Sequence, residues 1–495
     1  MPTESTAVRA YLISLLFLLL YAGWCAETIH SPSLARYDEF LTLARTRSVV
    51  DSQDLFAIYT NNEPNMRKPP LQYWASAGLM IAGLSDEVSL RLPPFLFGVG
   101  TLILTALCAV HLGNGRDPWV APAAVGFLGS SLLFAEHMRT GMLETGLCFF
   151  VMASVYSLWR AQSSSQWWIA WGVFCGLGAL QKAPMALVAS FAVGCGLYAG
   201  SLGALKEVVR LKPFRQGVSI NLFLTAFWPI LQTLRFGDSY RETVASEGLR
   251  RFTSGVVGEK DADQFGLYFD RLLFLTTDAS VFWVLCAITI VAAAFWGRDF
   301  LGDRRVQGCL GFTAFVMLVI LLAVGPVYSR YVLVFTPLMA AVTAAGLSRL
   351  SGRFWVSPVL ALACLTYQAA RMPLIHYKES GMTRPCLRSA VRIYSQYLKP
   401  GEPGLSLIPA GHKPVILAEV PFGKQSLGRR DEVLDREKYT AITYEPILGD
   451  LRKHFRLVAV KRRLGKLWIV EVSPRKKGQL LGPFYQDRWD KEYGE

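Results

Sequence analysis

The chain has 495 residues, of which 52% are hydrophobic and only 18% charged, with a mean hydropathy of +0.32. That balance excludes a soluble assembly of polar-faced domains, because long uncharged runs recur from residue 8 to residue 370, each close to the roughly 20 apolar residues that cross a bilayer. The net charge of +14 is carried by short loops between the runs and by the C-terminal tail, which suits anionic lipid rather than nucleic acid.

In chain order, the first run, 8–26, reads as a retained signal-anchor: its core, Tyr11 to Trp24, is long for a signal peptide. Cleavage near Ala22–Ala26 is the alternative. A polar stretch, 27–89, follows, and within it Phe40, Leu43 and Ala44 share one helical face from Tyr37 to Arg45. Such a helix is expected to lie in the membrane interface, apolar face down. Further spans are expected at 90–112, 118–136, 138–159, 167–181, 184–203, 217–235, 271–296, 307–325, 330–349 and 354–370, for about eleven helices in all. Beyond them, 371–495 reads as a small α/β unit. Gly404–Ile408 and Pro414–Val420 are expected as strands, Asp431–Lys438 as a helix, and Phe455–Val460 with Leu467–Val472 as a hairpin turning at Arg462–Gly465. The fold class is thus an all-α polytopic bundle, residues 1–370, with a C-terminal α/β domain.

Charge sets the orientation. With the N-terminus cytoplasmic, Arg116, Arg160, the basic loop Lys206/Arg210/Lys212/Arg215, Arg298/Arg304/Arg305 and Arg349/Arg353 all fall inside. An odd number of spans then leaves 27–89, 236–270 and the tail outside the cell membrane.

Several residues on that outer side carry chemistry. Asp38, with Glu39 beside it, stands at head-group level, either as a base toward an acceptor or as a solvated interfacial acid. Lys68, after Arg67, is held by Pro69-Pro70 on a stiff turn, suited to a lipid phosphate or simply snorkelling to head groups. Arg139 and Glu144 open the fourth expected span. An intramembrane carboxylate is costly and needs a partner or a wet cavity, so a functional role is the default, with a structural Arg–Glu pair as the plain alternative. Lys182 ends the fifth span, and Arg330-Tyr331 open the tenth. Seven of the nine cysteines, Cys108, Cys148, Cys175, Cys195, Cys286, Cys309 and Cys364, lie in apolar runs without metal-binding spacing, which indicates neither disulfides nor a cysteine-bound metal.

As an ordered set, Asp38-Glu39, the block Lys68-Pro69-Pro70-Leu71-Gln72-Tyr73-Trp74 with Arg91-Leu92-Pro93, the block Arg139-Thr140-Gly141-Met142-Leu143-Glu144, Gln181-Lys182 and Arg330-Tyr331 with Pro337 resemble the GT-C glycosyltransferases. The nearest branch holds aminoarabinose–lipid A transferase and the protein O-mannosyltransferases. The resemblance implies transfer of a sugar from a polyprenyl phosphate to a lipid, glycan or protein, usually with inversion. It implies Asp38 and Glu144 as catalytic acids, and Glu39, Lys68, Arg139, Lys182, Arg330 and Tyr331 as substrate-binding. The chain departs from the pattern where Glu144 replaces an aspartate and Arg67 precedes Lys68 instead of an acid. No metal ligand is assigned, and a divalent metal is left open as a cofactor. The expected location is the plasma (inner) membrane, with the C-terminal domain extracytoplasmic. Two other classes stay open: a transporter or flippase of lipid-linked sugars, and a non-catalytic membrane subunit.

Overall fold

The computed structural model describes residues 4–248, 298–322, 329–351 and 385–481 apart from internal breaks of one to five residues, with isolated positions between 283 and 291 and between 359 and 366. In chain order the first helices are α1 (Glu4–Ala26), α2 (Tyr37–Ser52), α3 (Leu71–Ile81), α4 (Asp86–Leu112), α5 (Val120–Gly129) and α6 (Leu132–Arg139). Next come α7 (Glu144–Ala161), α8 (Trp167–Gln181), α9 (Met185–Tyr198), α10 (Leu202–Arg210), α11 (Lys212–Phe236) and α12 (Asp238–Gly248). They are followed by α13 (Arg298–Leu301), α14 (Arg304–Leu322), a 3-10 turn (Ser329–Val334) and α15 (Thr336–Ser351), and in the tail by α16 (Pro385–Gln396), α17 (Lys413–Glu419) and α18 (Leu448–His454). The chain clusters into two compact units.

The first unit comprises Met1–His30, Met66–Ser76 and Glu87–Tyr377. Among its described residues, four helices are long and apolar enough to cross a membrane: Val8–Ala26, Asp86–Leu112, Lys212–Phe236 and Arg304–Leu321. The pair α5/α6, bent by 75°, makes a fifth if counted as one span. The expected spans at 138–159, 167–181 and 184–203 correspond to the shorter helices α7, α8 and α9, while those at 271–296 and 354–370 fall largely outside the described residues. α7 is buried along nearly its whole length, so its side chains meet other helices rather than lipid. Small residues set the closest crossings. A methyl group on Gly172 of α8 would overlap the backbone of Gly217 in α11, and one on Gly217 would overlap Trp168. Such contact between backbones is how apolar helices associate where water supplies no driving force. At one end of this unit arginines cap the carbonyls that α4 leaves unpaired: Arg305 Nη1 donates to His111 O at 2.9 Å and Arg349 Nη2 to Leu112 O at 2.6 Å. Asp303 balances both guanidinium groups.

The second unit comprises Ser31–Asn65, Ala77–Asp86 and Lys378–Glu495. Its core is a five-stranded sheet built from β3 (Gly404–Leu407), β4 (Ser426–Leu427), β6 (Tyr439–Tyr444), β7 (Phe455–Leu464) and β8 (Leu467–Pro474), in the order β4-β3-β6-β8-β7. β3 pairs in parallel with β4 and β6, whereas β8 is antiparallel to β6 and β7. β7, with two bulges, is an outer strand whose Arg456, Lys461, Arg462 and Arg463 are all exposed. Two small ribbons complete the unit: β1 (Tyr59–Thr60) with β2 (Glu63–Pro64), and β5 (Val433–Leu434) with β9 (Gln479–Leu480).

Several local expectations change here. Most of Pro414–Val420 is helical, within α17, and Val415, Ile416, Ala418 and Glu419 are all buried, which leaves no period to read; a short apolar run reads equally as strand or helix. Within Asp431–Lys438 the described residues form β5 and a bend, not a helix, with Leu434 buried against the sheet core. β7 extends to Leu464, so Arg462, Arg463 and Leu464, expected in the turn, belong to the strand. β6 escaped notice because Ala441, Ile442 and Thr443 are buried on both faces, which removes the alternation that marks a strand.

The helix from Tyr37 is longer than expected, and its apolar face is covered by protein: Phe40 and Leu43 are only 3% and 1% exposed. Apolar periodicity does not tell a lipid surface from a protein one. Farther along α2, Arg47 reaches Glu419 at 3.0 Å, the carbonyl of Ala418, and Asp86. Glu419, fully enclosed, also receives Arg388 Nε and Arg392 Nε, both at 2.6 Å. A second tie lies at Asn62, whose Nδ2 donates to Lys424 O at 2.9 Å and whose Oδ1 accepts from Gly423 N at 3.0 Å. Asn62 holds a left-handed backbone, φ 63°, which asparagine tolerates better than most residues.

Two outcomes follow. Gly172→Leu forces α8 and α11 apart and is expected to cost about 1–3 kcal/mol, measured by thermal unfolding in detergent. Burial pushes the Glu419 carboxyl upward, but the Arg47 and Arg388 charges and the hydrogen bonds from Arg392 and Arg388 prevail, leaving it below its ordinary value of 4.5. Its stabilising contribution is therefore complete above pH 4.5 and is lost as pH falls through the lower folded value. Glu419→Gln should flatten that acid limb in a pH series of unfolding of the second unit.

Candidate functional site

The sequence between α6 and α7 is the point at which the first unit gathers polar groups. α6 ends at Arg139, Thr140 is extended (φ −116°, ψ 156°), and α7 begins at Glu144. Arg139 and Glu144 therefore do not open one helix, as the sequence suggested; a break separates them. Met142 N donates to Thr140 O at 2.7 Å, a bond too local for a helix. Buried carbonyls at such a break need donors, and two glutamines reach them, although Leu143 O also accepts the first bond of α7, from Leu147 N at 3.2 Å. Gln72 Nε2 donates to Met142 O at 3.1 Å, and Gln181 Nε2 to Leu143 O at 3.1 Å and to Gln72 Oε1 at 2.7 Å. Gly146 makes room for this arrangement, since a methyl group there would overlap the Gln181 side chain.

Glu144 thus starts α7, where the helix dipole favours an anion. Lys182 follows the last residue of α8, where the dipole favours a cation. Lys182 Nζ lies 2.5 Å from Glu144 Oε1, and Arg330 Nε, on the 3-10 turn, lies 3.5 Å from the same oxygen. All three side chains are largely buried. Cys148 Sγ donates to Leu333 O at 3.1 Å, tying α7 to that turn. Buried His137 sits one turn before the break, with Nδ1 2.8 Å from Leu133 O. Lys182 and Arg330 thus converge on one carboxylate oxygen. Glu144 itself is engaged as their counter-ion.

The other expected residues are distributed around this. Arg139 is buried and its Nε donates to Thr28 Oγ1 at 2.9 Å; Arg91 Nη1 donates to Thr28 O at 2.8 Å, so both anchor the chain just after α1. Lys68 is half-buried on the bend before α3, whose start is fixed by Trp74 N donating to Pro70 O at 2.9 Å. Tyr331 is half-buried on the 3-10 turn and packs on the apolar core. Arg67 lies outside the described residues. Asp38 and Glu39 form the first turn of α2 in the second unit, with Glu39 fully buried, Asp38 partly exposed, and Thr42 Oγ1 donating to Asp38 O at 2.9 Å. Sequence reasoning overlooked Gln72, Gln181 and His137 as site residues. Their signal was a polar side chain directly beside each break or lysine in an otherwise apolar stretch. Among the described residues, no three His, Cys, Asp or Glu side chains come close enough to hold a metal ion.

Lys182→Met leaves Glu144 with Arg330 alone. Breaking a buried pair from one side is expected to cost about 3 kcal/mol, and Glu144→Gln in the same chain should recover part of it, both read by thermal unfolding.

Known proteins resemble this chain in part of its sequence and in its fold. Residues 64–212, which contain Lys68, Arg139, Glu144 and Lys182, match the family model described as dolichyl-phosphate-mannose-protein mannosyltransferase. A protein of Aquifex aeolicus described as uncharacterized is 24% identical over 348 residues, which cover 66% of this chain and 65% of that one, less than two thirds of its length. Among solved structures, ArnT from Cupriavidus metallidurans bound to undecaprenyl phosphate superposes with a TM-score of 0.67 at 15% identity, over 95% of this chain and 98% of that one. The Archaeoglobus fulgidus oligosaccharyltransferase tethered to an acceptor peptide gives 0.55 at 12% identity, over 92% and 74%. The chain shares the fold of these two solved proteins, with several helices long and apolar enough to cross a membrane and a C-terminal region containing a small sheet.

Proposed function

We propose that the protein is a membrane glycosyltransferase that moves a hexose or pentose from a polyprenyl-phosphate donor to a lipid, glycan or protein acceptor at the outer face of the plasma (inner) membrane. The observation that carries this reading is the convergence of two cations, Lys182 and Arg330, on one buried carboxylate oxygen of Glu144. It is supported by a fold shared with a protein solved with undecaprenyl phosphate and by the family match over 64–212.

The chemistry follows from charge. Attack at an anomeric carbon in a single displacement, with inversion, develops positive charge on the sugar and negative charge on the departing phosphate. Cations already fixed at the phosphate stabilise that state without reorganising. Lys182 and Arg330 fill this role, with Lys68 and Arg139 as further phosphate or sugar ligands. Glu144 holds the two cations in place and faces the sugar. Asp38 accepts the proton of the acceptor hydroxyl or amine, or orients an acceptor that is already anionic. Glu39 and Tyr331 contribute to substrate binding. The reading requires a cytoplasmic N-terminus and an extracytoplasmic C-terminal domain, in keeping with the basic helix ends and junctions at 206–215 and 298–305.

A flippase for lipid-linked sugars is the second reading, favoured by the broken pair α5/α6, since bent or discontinuous helices mark transport sites. Asp38→Asn separates the two. In the transferase it should lower product formation by about a hundredfold or more, followed by mass spectrometry of envelope lipids and glycoproteins from a deletion strain complemented with each variant, while undecaprenyl phosphate still binds the purified chain. Undiminished product from Asp38→Asn would remove the base from the mechanism.

A further inference from the structure

The second unit joins residues far apart in sequence at two separate points, and neither joint contains a group that the proposed chemistry uses. The first is the enclosed carboxylate of Glu419, which meets Arg47 at 3.0 Å and Arg388 and Arg392 at 2.6 Å. Arg47 extends the joint to Asp86 and to the carbonyl of Ala418, and Arg392 Nη2 stands 3.6 Å from Asp86. A carboxylate taken fully out of water is tolerated only when its lone pairs are matched by charge-assisted bonds. Three guanidinium groups are more than charge balance needs, but they fix direction, because each planar fork accepts only a narrow set of angles. The second joint is Asn62, held in a left-handed backbone, whose amide both donates to Lys424 O and accepts from Gly423 N. Between the two joints, Ala44, Arg47 and Ser48 of α2 line one cleft with Ile416, Ala418 and Lys424.

α2 is the helix whose first turn carries Asp38 and Glu39. Arg47 lies nine residues farther along it, about 13 Å at the helical rise. A helix is stiff over that length, so a fixed Arg47 restricts where its first turn can stand.

We propose that Glu419 and Asn62 are positioning residues through which the C-terminal domain holds α2, and with it Asp38, in the geometry needed for transfer. This rests on the role assigned to Asp38 above. The tail is then part of the catalytic apparatus without touching substrate. Its loss should appear in turnover and not in donor-phosphate binding, since Lys182 and Arg330 belong to the other unit.

The test uses the full chain with Glu419→Gln and, separately, Asn62→Gly, which keeps the positive φ while deleting the side-chain tie. Hydrogen exchange over residues 37–52 should speed up about tenfold in each variant, and the affinity for undecaprenyl phosphate, read by thermal stabilisation, should stay within about twofold of wild type. Product in the complemented deletion strain should fall about ten- to a hundredfold, the scale of an ångström-level misplacement. Glu419→Asp should recover part of it. The proposal is overturned if α2 loosens and product is unchanged, if exchange over 37–52 does not change, or if undecaprenyl phosphate binding collapses along with product in both variants. A wild-type chain that forms no product would count against the proposed transfer itself, while the exchange data would still decide whether the tail holds α2.

Discussion

An ionised carboxylate inside an apolar bundle is the constraint around which the first unit is organised. Glu144 is affordable there only because two cations reach one of its oxygens and because α7 begins at that residue. Each requirement dictates something else. For α7 to begin at Glu144, the chain must stop being helical between Arg139 and Glu144. For that interruption to be buried, its carbonyls need donors, and Gln72 and Gln181 reach Met142 O and Leu143 O, the latter shared with Leu147 N. For Gln181 to fit, residue 146 must lack a side chain. Lys182 is then delivered to Glu144 by the residue next to the one that seals the break.

The second unit applies the same principle with more cations: one enclosed acid, Glu419, and three arginines. At Glu144 the two cations stand in an apolar bundle where, on the proposed reading, an anionic phosphate is the natural complement. At Glu419 a second acid, Asp86, shares Arg47 and Arg392, and Arg392 is half-exposed. The first cluster suits binding and the second suits fixing a joint.

What could be read from the sequence followed from how local each signal is. The apolar runs, the stiff turn at Pro69-Pro70 and the hairpin of β7 and β8 depend on neighbours in the chain, and they were legible. The clustering of Glu144 with Lys182 and Arg330 depends on residues 38 and 186 positions apart, and sequence gave only their common depth along the spans. The kink before Glu144 was missed because Met142 and Leu143 continue an apolar run without a proline to mark the stop. α17 and β6 failed for the opposite reason: burial on several sides erases the period by which helix and strand are told apart. The helix from Tyr37 was recognised, but its partner was taken to be lipid, because a stripe of Phe40, Leu43 and Ala44 does not specify what covers it.

The bulged outer strand β7 has a consequence for how copies of this chain meet one another. An open strand margin invites a neighbouring chain to add its own strand, and a ten-residue margin is long enough for that to persist. Here the margin is interrupted twice in register and studded with Arg456, Lys461, Arg462 and Arg463. Two such margins brought together would repel and would not match hydrogen bonds along their length, which keeps the sheets of separate molecules apart.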